Sequence, residues 1–184
     1  MLSLLVLLPF IGAFVAASLP NGARNRPAAV AGAVTLAALM LSIHAFGRIG
    51  EGEVLYQRYE WLPDFGLDLV LRMDGLAWVF TVLVLGIGLL VLLYARYYMS
   101  RRDPVARFFA YMLAFMGSML GVVLSGNLIQ LVVFWELTSV TSFLLIGYWQ
   151  HRNDARRGAR MAFTVTTIGG LCLLAGVLIL GHIV

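Results

Sequence analysis

The sequence predicts an all-α polytopic membrane protein with about six transmembrane helices, and three observations carry that expectation. Of its 184 residues, 61% are hydrophobic, against about 45 to 50% in ordinary globular chains. Charged residues make up 12%, half the usual share of about a quarter. The mean hydropathy of +0.93 is concentrated in long uncharged runs, each comparable to the roughly 20 apolar residues that cross a bilayer core. So much apolar surface calls for lipid as its solvent.

The first expected helix is 2–19, an uncharged run closed by Pro20 and the turn pair Asn21-Gly22. Its end, Ala16-Ala17-Ser18, has the small residues of a signal-peptide cleavage site, but no positive segment precedes the run, so a span is favoured. The second is 28–46, starting after Pro27, which a first helical turn tolerates, and carrying His44 near its outer end. Residues 47–74 form one long polar outer loop. There Gly47, Gly50, Gly52, Pro63 and Gly66 break helices, Tyr56, Tyr59 and Trp61 supply interfacial aromatics, and short strands are expected. The third helix is 76–94, closed by Arg96, Tyr97, Tyr98 and the Arg101-Arg102-Asp103-Pro104 turn.

From Phe108 to His151 the chain runs 44 residues with one charge. As one helix that run would measure about 66 Å, twice the hydrocarbon thickness, so it must fold back once. Ser125-Gly126-Asn127 is its one turn-forming cluster, which gives helices 109–124 and 128–149 with Asn127 capping the second. The last expected helix is 161–184.

Loop charges predict the orientation, because arginine favours cytoplasmic loops. All 13 basic residues are arginine, and ten of them (Arg24, Arg26, Arg96, Arg101, Arg102, Arg107, Arg152, Arg156, Arg157 and Arg160) fall in loops one, three and five. Those loops are expected in the cytoplasm. Loop two carries six acids, Glu51, Glu53, Glu60, Asp64, Asp68 and Asp74, against Arg48, Arg58 and Arg72, and is expected outside with both termini.

Of nine acidic residues, one remains for a span: Glu136, about nine residues into the fifth helix. An ionised carboxylate at that depth is expensive, so it must be protonated, paired or facing a hydrated cavity, and each of these brings its proton into play. Ser139, one turn along, and Thr164, Thr166 and Thr167 on the next helix offer hydroxyls to hold water beside it. The plainer alternative is a protonated carboxyl that fastens two helices together. His44 and His182, near the outer ends of their spans, are possible points of proton access, with neutral interfacial imidazoles as the plainer reading. His151 reads as interfacial, Cys172 as packed, and Met112, Met116 and Met119 as a packed helix face. No metal-ligand spacing, phosphate loop, nucleophile set, cofactor motif or basic nucleic-acid groove is visible.

Several stretches together resemble a known family. They are Arg72-Met73-Asp74-Gly75-Leu76, Arg107-Phe108-Phe109-Ala110-Tyr111, Gly121 through Asn127, Phe134-Trp135-Glu136-Leu137-Thr138-Ser139, and Ser142 through Trp149. The chain resembles the proton-translocating antiporter family shared by multisubunit Mrp-type Na+/H+ antiporters and the large membrane subunits of respiratory complex I. Within it, the likeness is to the amino-terminal part of the MnhA/PhaA-like component of the Mrp-type complex. The respiratory branch tends to have Gly-Trp-Glu-Gly where Phe134-Trp135-Glu136-Leu137 stands here, and an arginine and an aspartate at the positions of Thr167 and Gly170.

The resemblance implies the antiporter-like subunit fold and a proton-translocating role for Glu136. It also implies that Glu136 is partnered by a lysine on a broken seventh helix, and this chain contains no lysine. The expectation is therefore a subunit, or an amino-terminal fragment of a longer one, of a multisubunit monovalent cation/proton antiporter in a bacterial plasma membrane. Its partners would be the other antiporter subunits, the lipid bilayer, H+ and Na+, Li+ or K+, with no cofactor, metal or nucleic acid. The alternatives are a proton-pumping subunit of complex I or of a membrane-bound hydrogenase, and a non-transporting membrane scaffold.

Overall fold

In the computed structural model, which describes residues 1–20, 25–62, 67–100 and 103–183, six helices form a bundle that carries one β-hairpin at one end. The elements in order are α1 (Leu2–Ala17), α2 (Asn25–Gly50), β1 (Leu55–Leu62), β2 (Leu67–Met73), α3 (Gly75–Tyr98), α4 (Val105–Leu124), α5 (Leu128–Ile146) and α6 (Asn153–Ile183). The expected turn at Asn21-Gly22, loop residues Pro63, Asp64 and Gly66, and Arg24, Arg101, Arg102 and Val184 lie outside the described residues.

Helix α4 is the hub. It packs against α1, α2, α3 and α5, and its buried Val105, Phe109, Leu113, Met116, Leu120 and Leu124 recur every three or four residues. Met116 on this face is buried and Met112 packs against the same core, so these methionines do line a packed face. Helices come close here because one partner is often glycine. A Cβ on Gly88 would lie 2.5 Å from Met116 Cε, and one on Gly121 would lie 2.1 Å from Phe134 Cδ1. Helix α2 buries a stripe of small residues, Ala31, Thr35, Ala38, Ser42 and Ala45, and Trp78 Nε1 on α3 donates to the Ser42 carbonyl at 2.8 Å.

Residues 47–74 contain the expected strands. β1 and β2 pair antiparallel, from Leu55 opposite Met73 to Tyr59 opposite Leu69, with Leu55, Leu71 and Met73 buried against the helices and Tyr56 and Tyr59 exposed. The turn between α4 and α5 extends this sheet. Gly126 N–H donates to the Val70 carbonyl at 2.8 Å, Leu71 bridges to Ser125, and Val70 N–H donates to Gln130 Oε1 at 2.8 Å. A side chain on Gly126 would meet Val70 Cγ1 at 2.6 Å, so a glycine allows this docking. At the other edge, Ser3 N–H of α1 donates to Gln57 Oε1 at 3.2 Å.

Two helix starts follow from the sequence. Asn127 caps α5 by accepting from Ile129 N–H at 2.9 Å, and Asp74 caps α3 by accepting from Ala77 N–H at 2.9 Å. Helix lengths differ from expectation. α6 begins at Asn153 instead of 161, and α2 reaches Gly50 and α3 Tyr98, because arginines and single glycines near a helix end mark where hydrocarbon stops and not where backbone hydrogen bonding stops. α5 stops at Ile146, short of residue 149, where Gly147 N–H turns back to the Phe143 carbonyl at 2.9 Å. Five helices, α2 to α6, are long and apolar enough to cross a membrane. At 16 residues, or about 24 Å, α1 is shorter and carries Pro9 in its interior.

Candidate functional site

The site lies in the seam between α5 and α6. Successive residues of a helix turn by about 100°, so residues two apart point to nearly opposite sides. On α5 this sends Phe134 toward α4, over Gly121, and Glu136 toward α6, over Gly170. α6 answers with a seam in which Phe163, Thr167, Leu174 and Val177 are partly covered and Gly170 is buried, while most of its other residues are exposed. At one end of the seam, the rings of Phe143 and Phe163 lie 5.3 Å apart.

Glu136 is half-buried as a residue, but its Oε1 is enclosed and has no hydrogen-bond partner among the described residues. The carboxyl occupies the space that a side chain at residue 170 would fill. A Cβ built on Gly170 would lie 1.6 Å from Glu136 Oε1 and 3.3 Å from Trp135 Cδ1. One turn before Gly170, on the same face of α6, Thr167 Oγ1 is also enclosed and unbonded among the described residues. Buried polar atoms without partners are uncommon in folded proteins; besides Glu136 Oε1 and Thr167 Oγ1, the hydroxyls of Thr35, Ser42 and Thr81 on α2 and α3 are in the same state, and what sets this pair apart is the carboxyl.

The other residues singled out from the sequence are placed as follows. Ser139 is buried, and its hydroxyl donates to the Trp135 carbonyl at 3.3 Å, a carbonyl that also accepts from Thr138 Oγ1 at 2.6 Å. Thr164 is exposed and donates to the Arg160 carbonyl at 2.9 Å, while Thr166 donates to the Ala162 carbonyl at 3.0 Å, so both hydroxyls are engaged by their own helix. His44 and His182 are exposed, near the ends of α2 and α6 closest to the hairpin. His182 is about 18 Å along α6 from Gly170 at 1.5 Å per residue. Cys172 is exposed on α6 rather than packed. His151 is exposed in the α5–α6 turn.

The described ion pairs, Arg48–Glu53, Arg58–Asp68 and Arg72–Asp74, all lie in or beside the hairpin and none involves Glu136. Arg48 holds the Glu53 carboxyl below its ordinary range through their hydrogen bond. No cluster of metal-ligating side chains occurs among the described residues.

Gly170 is the residue whose part in the site sequence reasoning missed. It is one of five glycines in α6, with Gly158, Gly169, Gly176 and Gly181. The signal that separates it is its helical phase: it falls three residues after Thr167 and four before Leu174 on the face toward α5.

Two family signatures match the chain. One is described as the N-terminus of NADH-ubiquinone oxidoreductase (complex I) chain 5, over residues 61–109, and the other as the transmembrane region of NADH:quinone oxidoreductase/Mrp antiporters, over residues 125–183. A probable K(+)/H(+) antiporter A/B component of Rhizobium meliloti is 54% identical over the whole chain, which covers 18% of that protein. A Na(+)/H(+) antiporter A1 component of Staphylococcus aureus is 46% identical over 70% of the chain and 16% of its own length. The solved structure of the Mrp complex from Dietzia sp. contains a chain that superposes with a TM-score of 0.79 at 32% identity, over 95% of this chain and 18% of that one. The chain thus spans under a fifth of the length of these relatives. With the six-helix architecture, the hairpin and both signatures in agreement, the chain belongs to the Mrp-type antiporter family and corresponds to the amino-terminal part of its MnhA/PhaA-like component.

Proposed function

We propose that this chain is part of a multisubunit monovalent cation/proton antiporter and that Glu136 takes up and releases a proton within it. The observation that carries the reading is the carboxylate itself. It is the one acid in the middle of a span, its Oε1 lacks a partner among the described residues, and it lies against Gly170, one turn along α6 from the unbonded Thr167 hydroxyl. A carboxyl so placed changes its affinity for a proton when a cation or water approaches or withdraws. The cation that tunes it belongs to a part of the longer protein outside this chain, since no lysine is present here and no described arginine pairs with Glu136. Thr167, and Ser139 through its proximity along α5, support hydration of the carboxyl; His44 and His182 serve proton access at the hairpin end.

The partners under this reading are the other subunits of an Mrp-type complex, the bilayer of a bacterial plasma membrane, H+ and a monovalent cation. The end bearing Arg26, Arg107, Arg152, Arg156, Arg157 and Arg160 faces the cytoplasm, and the hairpin faces outward, in accord with the preference of arginine for cytoplasmic loops. Identity of 54% over the whole chain to an antiporter component favours this over a redox-driven pump. The test is Glu136→Gln and Glu136→Ala in the intact complex, assayed in everted vesicles as cation-dependent dissipation of a pH gradient. Exchange should be lost in both; exchange at the wild-type rate refutes the role of Glu136.

A further inference from the structure

At the arginine end of α5 and α6 lies a cavity of about 450 Å3 with a mixed polar and apolar lining. Phe143, Leu144 and Ala159 line it together with Tyr111, Gln150, Arg156 and Arg160, of which Ala159 is buried and Gln150, Arg156 and Arg160 are exposed. Arg156 and Arg160 are four residues apart, hence on one face of α6, both are exposed, and neither has an acidic partner among the described residues. Arg107, Arg152 and Arg157 add positive charge at this end, against the acids Asp103 and Asp154. The cavity lies at the end of α5, where its C-cap Gly147 also lines it.

We infer that this cavity binds the phosphate headgroup of an anionic phospholipid, with Arg156 and Arg160 on the phosphate, Gln150 and Tyr111 as neutral hydrogen-bonding groups, and the first acyl carbons against Phe143 and Leu144. Charge and an apolar lining at the end of a span commit the site to a lipid. Two guanidiniums without acidic partners among the described residues match a phosphate diester, and Phe143 and Leu144 offer an apolar surface to the acyl chain, which a free phosphate does not use. A guanidinium hydrogen-bonded to a phosphate adds about tenfold or more in affinity, so losing two such contacts should cost on the order of 100-fold.

The test uses the intact complex. Wild type, the cavity pair Arg156→Gln/Arg160→Gln and a control pair Arg152→Gln/Arg157→Gln of equal charge change are purified and reconstituted in nanodiscs of phosphatidylglycerol with phosphatidylcholine. Each is re-extracted in mild detergent and read by native mass spectrometry for retained lipid. The wild type should retain phosphatidylglycerol in preference to phosphatidylcholine, the cavity pair should lose that retention on the order of 100-fold, and the control pair should lose no more than the roughly 25-fold that two surface charges contribute without contact. Inorganic phosphate added during extraction should not displace the lipid. The proposal is overturned if the wild type shows no preference, as when an acidic segment of the complex covers the arginines. It is overturned equally if both pairs lose retention alike, or if inorganic phosphate alone displaces the lipid and so identifies a soluble-anion site.

Discussion

At the scale of single residues, two side chains separate structure from chemistry. A methyl group at residue 170 would overlap Glu136 Oε1, but the atom it meets is the free end of a flexible side chain, which can swing aside. Alanine also favours a helix over glycine by about 1 kcal/mol, which offsets the crowding. Gly170→Ala should therefore leave thermal unfolding of the complex nearly unchanged while lowering cation/proton exchange about tenfold or more, since misplacing a reacting group by about 1 Å has effects of that size. Equal loss of stability and exchange would show that the glycine serves packing alone. Tyr148, outside the spans, is a different case. Burial, aided by Asp103 and opposed by Arg107, pushes its phenol up to about 12, and its hydroxyl lacks a partner among the described residues. The neutral form is the one the fold prefers, so the stability it contributes is intact below the ordinary value near 10 and fades as pH rises through about 12. A spectrophotometric titration should show one late-ionising tyrosine that Tyr148→Phe removes, with little change in stability below about pH 9, since an unpaired hydroxyl is being deleted.

At the scale of elements, helix existence was legible and helix length was not. Uncharged runs and turn residues placed all six helices, and Asn127 and the strands of the hairpin were found by their chemistry. The ends were missed where Arg156, Arg157 and Arg160 continue α6 toward water, because charge reports the depth of the hydrocarbon and leaves the backbone free to stay helical. Glu136 stood out as a charge among apolar residues, whereas Gly170 was marked only by the resemblance, as a place where the respiratory branch has an aspartate, and its contact with the carboxyl emerged only once α5 and α6 were seen together. The same glycine logic has a structural counterpart between α4 and α5. A Cβ on Gly121 would strike the ring of Phe134, a rigid plane held between two helices. Gly121→Ala should destabilise the helical unit by about 1 to 3 kcal/mol, the usual range for overpacking, read as a lower unfolding midpoint in detergent. An unchanged midpoint would mean that α5 moves away from α4 without loss.

At the scale of the whole molecule, one end is basic and the other carries a hairpin stapled to α1 and to the α4–α5 turn. Orientation can be checked directly, since Cys172 is the chain's one cysteine. In a Cys172→Ser background, a cysteine introduced at Tyr56 should react with a membrane-impermeant maleimide in intact cells, and one at Asn153 after lysis only. The opposite pattern inverts the proposed topology. The bundle is also uneven. α4 is locked by neighbours on all sides, while α6 rests on α5 along one seam that no hydrogen bond crosses among the described residues. A joint made of contacts alone has no bonds to break when it turns. Rolling α6 by a fraction of a turn would exchange one set of dispersion contacts for another and carry Gly170 away from the carboxyl, toward Gly169 on one side and Leu171 on the other. The group in the membrane that is hardest to keep charged thus sits in a joint held by contacts alone.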